Sequence, residues 1–151
     1  MALNTQPLEE ADLPLLDAAR QVIRDNYEYG RFHVGAAVRM GDGRVFTGIH
    51  VEANVGRVTL CAEAVAIGTA LSAGSREVRS IVAVMHHRPH EEPGHPAVIT
   101  PCGMCRELIS DFGPEAWVVI PAADGTPMRV PVLDLLPVKY SRPHGNPAGE
   151  A

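Results

Sequence analysis

A chain of 151 residues, 46% apolar and 21% charged, has the balance of a globular protein that buries a core, and residues 1–151 are expected to form one domain. Its formal charge of -5 disfavours nucleic acid and anionic membranes as partners, and no stretch approaches the ~20 apolar residues of a membrane span. The opening "MALNTQPLEEADLP" lacks a basic n-region and an apolar h-region, which predicts a cytoplasmic protein with reduced thiols, and its 3 cysteines cannot all pair as internal disulfides.

Residues 8–27 read as a first helix, with Leu15, Ala19, Val22 and Ile23 on one stripe of a 3.6-residue period. "RFHVGAAVRMGDGRVFTGIHVE" reads as a hairpin turning at "GDG". "LCAEAVAIGTALSAG" is a second helix, apolar nearly all round and therefore buried, with Gly74 as its C-cap. "VRSIVAVM" is a strand apolar enough to be covered on both faces, and "HHRPHEEPGHPA" is a loop by composition. "PCGMCRELISDFGP" is a third helix with Cys105, Leu108, Ile109 and Phe112 on one face. "AWVVIPAADGTPMRVPV" gives a second β pair, followed by "VLDLLP" and a Pro/Gly-rich tail. Alternating helices and strands predict an α/β sandwich with helices over a central sheet.

Cys102 and Cys105 form a Cys-x-x-Cys step at the start of one helix, and Cys61 begins another. If both N-termini face one spot, their partial positive charge favours the thiolates that a metal needs. Three thiolates with a fourth position open to water is the pattern of a catalytic zinc site. Glu63, two residues after Cys61, is then placed to take a proton from the water and deliver it to a substrate nitrogen. Arg106, directly after Cys105, is a candidate to offset the negative charge of a three-thiolate site. Other readings stand beside this one: a redox Cys-x-x-Cys pair, a structural zinc completed by a histidine, or Cys61 and Glu63 as unrelated core and surface residues. The redox pair leaves Cys61-x-Glu63 unexplained.

"CAE" followed by "PCGMC" matches the zinc deaminase signature with cysteine in place of its first histidine. From "YGRFHVGAAV" to "DLLPVKY" the chain resembles the small, homotetrameric cytidine deaminases, blasticidin S deaminase-like members included. The resemblance implies a three-layer α/β/α sandwich on a mixed five-stranded sheet, with one zinc per subunit and active sites completed by neighbouring subunits. It implies Cys61, Cys102 and Cys105 as zinc ligands, Glu63 as proton shuttle, and the backbone at Ala62 and Pro101 along the base pocket. Phe32 of "FHVGAA" falls where the family keeps an aromatic near the pyrimidine. Tyr140 falls where an aromatic stacks on the base of an adjacent subunit. The family's ribose-binding Asn-x-Glu is replaced by His50-Val51-Glu52, which alters sugar recognition.

The implied activity is hydrolytic deamination of cytidine or deoxycytidine in pyrimidine salvage. A modified cytosine nucleoside such as blasticidin S, or another amino-heterocycle, is the alternative, favoured by Tyr140 and His50. Polynucleotide editing is disfavoured by the charge, and a non-catalytic zinc-stabilised binding module by Glu63 and the open zinc position. The four histidines of the loop at 86–95 suggest a second metal site superficially. Without helix or strand spacing they read as solvated, or as a pocket wall selecting an unusual amine.

Overall fold

The computed structural model describes residues 2–143, and the Pro/Gly-rich tail lies outside the described residues from position 144. Its sheet is built on β2 (Val34–Met40), β3 (Val45–Ile49), β4 (Val78–Met85), β6 (Trp117–Pro121) and β7 (Pro127–Pro131), with short β1 (Gln6–Pro7) and β5 (Ala97–Ile99) added. The order is β1-β7-β6-β4-β2-β3, with β5 paired to β4. β4 and β6 run parallel while the other pairs are antiparallel, so the sheet is mixed.

The sheet thus has 7 strands where five were expected. The two additions carry weak sequence signals. β1 is 2 residues ending in a proline at the sheet edge, and β5 is 3 residues emerging from a loop rich in Pro and His.

The layers follow from side-chain alternation. Along β4, Val82 and Val84 join Ala37 and Val119 beneath α1 (Asp12–Asn26), which contributes Leu15, Leu16, Ala19 and Ile23. Ile81 and Ala83 point the other way, into a core with Ala62, Ala66 and Ala70 of α2 (Ala62–Ser72) and Cys105 and Ile109 of α3 (Gly103–Phe112). The result is α1 on one face and α2 and α3 on the other, the expected three layers.

α1 starts at Asp12, later than the period alone suggested. Asp12 Oδ2 accepts the Glu9 N–H at 2.9 Å, closing a turn ahead of the helix. The β2–β3 connection is a three-residue loop in which Gly43, at φ 86°, takes the left-handed conformation that ends such loops. Gly48 has a different purpose. A Cβ there would lie 2.7 Å from the Ala62 carbonyl oxygen, so its absence lets the first turn of α2 press onto β3. That contact fixes where the start of α2 points.

Candidate metal centre and substrate pocket

Cys61 and Cys102 occupy the N-cap positions of α2 and α3, both with extended backbone. Their carbonyls accept the first helical bonds, from Val65 N–H at 3.1 Å and Arg106 N–H at 3.0 Å. An N-cap side chain ordinarily satisfies a free N–H of its helix. Neither sulfur makes a full cap hydrogen bond of that kind, although the Cys105 backbone N–H favours the Cys102 thiolate, and the two sulfurs turn toward each other, 3.7 Å apart. Cys105, one turn into α3 and fully buried, brings the third sulfur, and all three lie within 4.8 Å of one another.

That spacing suits one metal ion. Tetrahedral zinc with bonds of about 2.3 Å to sulfur needs sulfurs about 3.8 Å apart. The electrostatics agree. Burial pushes the Cys61 and Cys105 thiols up, and at Cys105 the neighbouring Glu63, Cys61 and Cys102 charges push the same way. Burial acts upward on Cys102 as well, but the Cys105 backbone N–H and the other two thiols draw it net downward. Three crowded sulfurs resist ionising together until a divalent cation offsets their charge. Among the described residues this is the sole group of three or more metal-ligating side chains so placed.

Glu63 lies in the first turn of α2 with 5% of its surface exposed. Burial raises its pKa, while its own backbone N–H and the Cys105 thiol oppose the rise. The carboxyl faces a cavity of about 250 Å3 that it lines together with His33, His50, Ala62, Met85 and Cys61. Ile99, Thr100 and Cys102 close the α3 side.

The expected site residues divide. Cys61, Cys102, Cys105, Glu63, Ala62 and His50 meet at this cavity. His50 Nε2 is 2.8 Å from Glu52 Oε2, while Glu52 itself borders a second, polar cavity with Glu28, Tyr29 and Arg31. Phe32 is not on the inner wall, where His33 and Val34 stand instead, and its ring carries the Arg31 guanidinium at 5.1 Å. Pro101 is buried behind Thr100 and Cys102, its carbonyl accepting the Arg106 Nε–H at 2.9 Å. Arg106 also donates to the Leu135 carbonyl at 3.1 Å. Its hydrogen bonds therefore hold the loop before α3 and go to carbonyls, not to a sulfur, which corrects the adjacency argument.

Tyr140 is 69% exposed. Its segment is anchored by Lys139, which donates to Glu107 at 2.9 Å and Asp111 at 2.7 Å. Among the described residues the loop histidines form no metal cluster. His86 stacks on Tyr27 at 3.9 Å and on His87 at 4.3 Å, so that pair is half-buried and not solvated as the composition suggested. His95 is exposed and takes a hydrogen bond from Arg24. His33 and Met85 were not anticipated as cavity residues. Met85 ends a central strand, the position where α/β sheets hold ligands, and that was the available signal.

A buried carboxyl beside three thiols, at two converging helix N-termini and facing a small open cavity, defines the class: a zinc site equipped for hydrolysis. The pattern described as "Cytidine and deoxycytidylate deaminase zinc-binding region" matches residues 9–120, and the chain belongs to that family. It is 42% identical over 140 residues to the blasticidin-S deaminase of Bacillus cereus, covering 93% of this chain and 99% of that one. It is 32% identical over 141 residues to a probable cytidine deaminase of Dictyostelium discoideum, covering 93% and 88%. Among solved structures, cytidine deaminase from Mycobacterium tuberculosis superposes with a TM-score of 0.69 at 32% identity, covering 89% of this chain and 100% of that one. The Bacillus anthracis cytidine deaminase gives 0.72 at 26% identity, covering 85% and 89%.

Proposed function

We propose that this chain hydrolyses the exocyclic C–N bond of a cytosine nucleoside, cytidine or deoxycytidine, giving the uracil nucleoside and ammonia. The observation that carries this is Glu63, buried against three convergent thiols and facing a cavity for one small ring. Zinc held by Cys61, Cys102 and Cys105 supplies a Lewis acid that makes water nucleophilic near neutral pH.

The protein's own part is proton handling. Glu63 takes the proton of the attacking water and gives it to the ring nitrogen beside the amine-bearing carbon, which becomes the electrophile. As the C–N bond breaks, the same carboxyl carries the second water proton to the departing amine. One water is consumed and one ammonia released, with Glu63 restored. Burial suits it to this work, because it brings the protonated form within reach. Ala62, beside Glu63, supplies backbone to the cavity wall.

A modified cytosine nucleoside of the blasticidin S kind is the second reading. It is favoured by the likeness to the Bacillus cereus enzyme and by His50, which stands where the resemblance places an asparagine. We further place the chain in a homotetramer of single-domain subunits acting in pyrimidine salvage in the cytoplasm. Tyr140 at 69% and Val138 at 92% exposure leave an aromatic and an aliphatic side chain available to a neighbouring subunit's pocket.

The test is ammonia release from cytidine, deoxycytidine and blasticidin S by zinc-loaded protein. Glu63→Gln is expected to lose roughly a thousandfold or more in turnover while keeping its zinc. Turnover surviving in that variant, or a wild type silent on every cytosine nucleoside, overturns the proposal.

A further inference from the structure

We infer that Cys61 and Cys102 form an oxidation site, at which a hydroperoxide entering the cavity closes a disulfide between them and so ends their capacity to hold zinc. The inference goes beyond the deaminase reading and rests only on its metal assignment.

Zinc accounts for the convergence of three sulfurs, but not for how unequally they are placed. Cys61 and Cys102 line the cavity of about 250 Å3, and Cys105 does not. Cys102 is exposed and Cys61 half-buried, whereas Cys105 has no exposed surface. It belongs to the core with Ala62, Ala66 and Ile109. An oxidant little larger than water therefore meets two of the thiols and not the third.

The same two are the pair placed to join. Their sulfurs are 3.7 Å apart and close to about 2.05 Å in a disulfide. Both residues are N-caps with extended backbone, so rotation about their Cα–Cβ bonds breaks no helical hydrogen bond. Cys105 lies within α3, and drawing its sulfur out to the cavity would open a void in the core. The sequence offers Cys102-x-x-Cys105 as a redox pair. Burial assigns the oxidation instead to two cysteines 41 positions apart.

The step balances with one hydroperoxide. The Cys102 sulfur attacks the O–O bond and becomes a sulfenic acid, with the alcohol, or water from hydrogen peroxide, as leaving group. The Cys61 sulfur then attacks the Cys102 sulfur and expels its hydroxyl as water. Two electrons pass from the sulfurs to the O–O bond. The two protons come from the thiols, or from solvent where zinc holds thiolates. Metal ligation needs thiolates, so two of the three ligands are lost together. Reduction by a dithiol restores both.

The test treats the zinc-loaded protein with hydrogen peroxide and follows released zinc with a coloured chelator. Free thiols are then alkylated in denaturant, and unreduced peptides are mapped by mass spectrometry. About one zinc is expected to leave for each disulfide formed, with Cys61 joined to Cys102 and Cys105 alkylated. Dithiothreitol with added zinc is expected to reverse the release. Met85 lines the same cavity and is 41% exposed, so its sulfoxide is the rival product.

A main disulfide that contains Cys105 overturns the inference. So does Cys102 sulfinic acid without a disulfide, or zinc loss that tracks Met85 sulfoxide while the thiols stay intact. Cys61→Ser is expected to give no internal disulfide and to leave a Cys102 sulfenic acid that dimedone traps; should that variant not fold, the wild-type map decides the pairing. No readout uses a substrate. A wild type silent on every cytosine nucleoside overturns the deaminase reading alone. A protein purified without zinc overturns the metal assignment, and the peptide map still decides the pairing.

Discussion

The two walls of the cavity are built in opposite ways. On the chemical wall, Cys61, Glu63, Cys102 and Cys105 hang from the first turns of two helices, where hydrogen-bonded backbone fixes each side chain. On the opposite wall, His33 precedes β2, His50 follows β3, and the Tyr27, His86 and His87 rings stack alongside. Unpartnered polar atoms gather there: Tyr27 OH, His50 Nδ1 and His87 Nδ1 are buried without partners. The thiols and Glu63 are held by helical backbone, while the opposite wall is built from side chains with unmatched polar atoms. A β-bridge joins the two walls, Val51 N–H to the Leu60 carbonyl at 2.9 Å and Leu60 N–H to the Val51 carbonyl at 3.1 Å. It fixes the His50–Glu52 segment against the residue just before Cys61.

Removing one sulfur separates the walls most sharply. Cys105→Ala takes a fully buried ligand candidate out of the core. It is expected to lose most bound zinc, turnover by roughly a thousandfold or more, and several degrees of thermal stability, since metal affinity is coupled to folding. Zinc analysis beside a melting curve checks this. A substitution on the opposite wall such as His50→Ala should retain the metal. If Cys105→Ala keeps a full complement of zinc, the three-thiol assignment fails.

Gly48→Ala probes how the chemical wall is aimed. The new Cβ would meet the Ala62 carbonyl oxygen at 2.7 Å and the Val65 side chain at 2.9 Å, so α2 must shift. A stability loss of about 1–3 kcal/mol is expected from overpacking, read from denaturant unfolding. Because α2 carries Cys61 and Glu63, kcat should fall with it while KM changes less. A variant destabilised but unchanged in kcat would show that Glu63 tolerates movement of its helix.

The same contrast explains what the sequence made legible. The metal ligands and Glu63 could be read because the chemistry demands fixed spacings along one chain: Cys102 and Cys105 are one helical turn apart, and Glu63 is two residues from Cys61. The main strands and helices announced themselves through periodicity, β4 most clearly, as an apolar run buried on both faces. The opposite wall could not be read this way. His33 and Met85 meet His50 only because β2 pairs with β4 and β3, contacts between segments far apart in the chain. Arg106 shows the reverse error, since adjacency to Cys105 suggested a sulfur partner while the guanidinium reaches the Pro101 and Leu135 carbonyls. β1 and β5 are too short for any period to register.

The smallest expected effect lies away from both walls and serves as their control. Asp42, in the β2–β3 turn, accepts hydrogen bonds from the Ser75 hydroxyl, from Arg44 Nε at 3.0 Å and from Arg44 N–H at 3.0 Å. These, with the Ser75 bond the largest cause, hold its pKa at about 2 against an ordinary 3.8. Arg44 in turn donates to the Ala73 carbonyl at 3.2 Å, at the far end of α2 from Cys61. A carboxyl whose folded pKa is depressed stabilises the fold above its unfolded pKa, and that contribution fades as pH falls toward the folded value. Wild type is therefore expected to exceed Asp42→Asn in unfolding midpoint at neutral pH, with the gap constant down to about pH 4 and closing between there and about pH 2. Turnover at neutral pH should be the same in both. A gap that persists through the acid range would assign the effect to hydrogen-bond geometry that asparagine cannot reproduce, and not to the charge on Asp42. A change in kcat would mean that strain at the C-terminus of α2 is transmitted along the helix to Glu63, so the chemical wall would be less independent of its surroundings than its backbone anchoring implies.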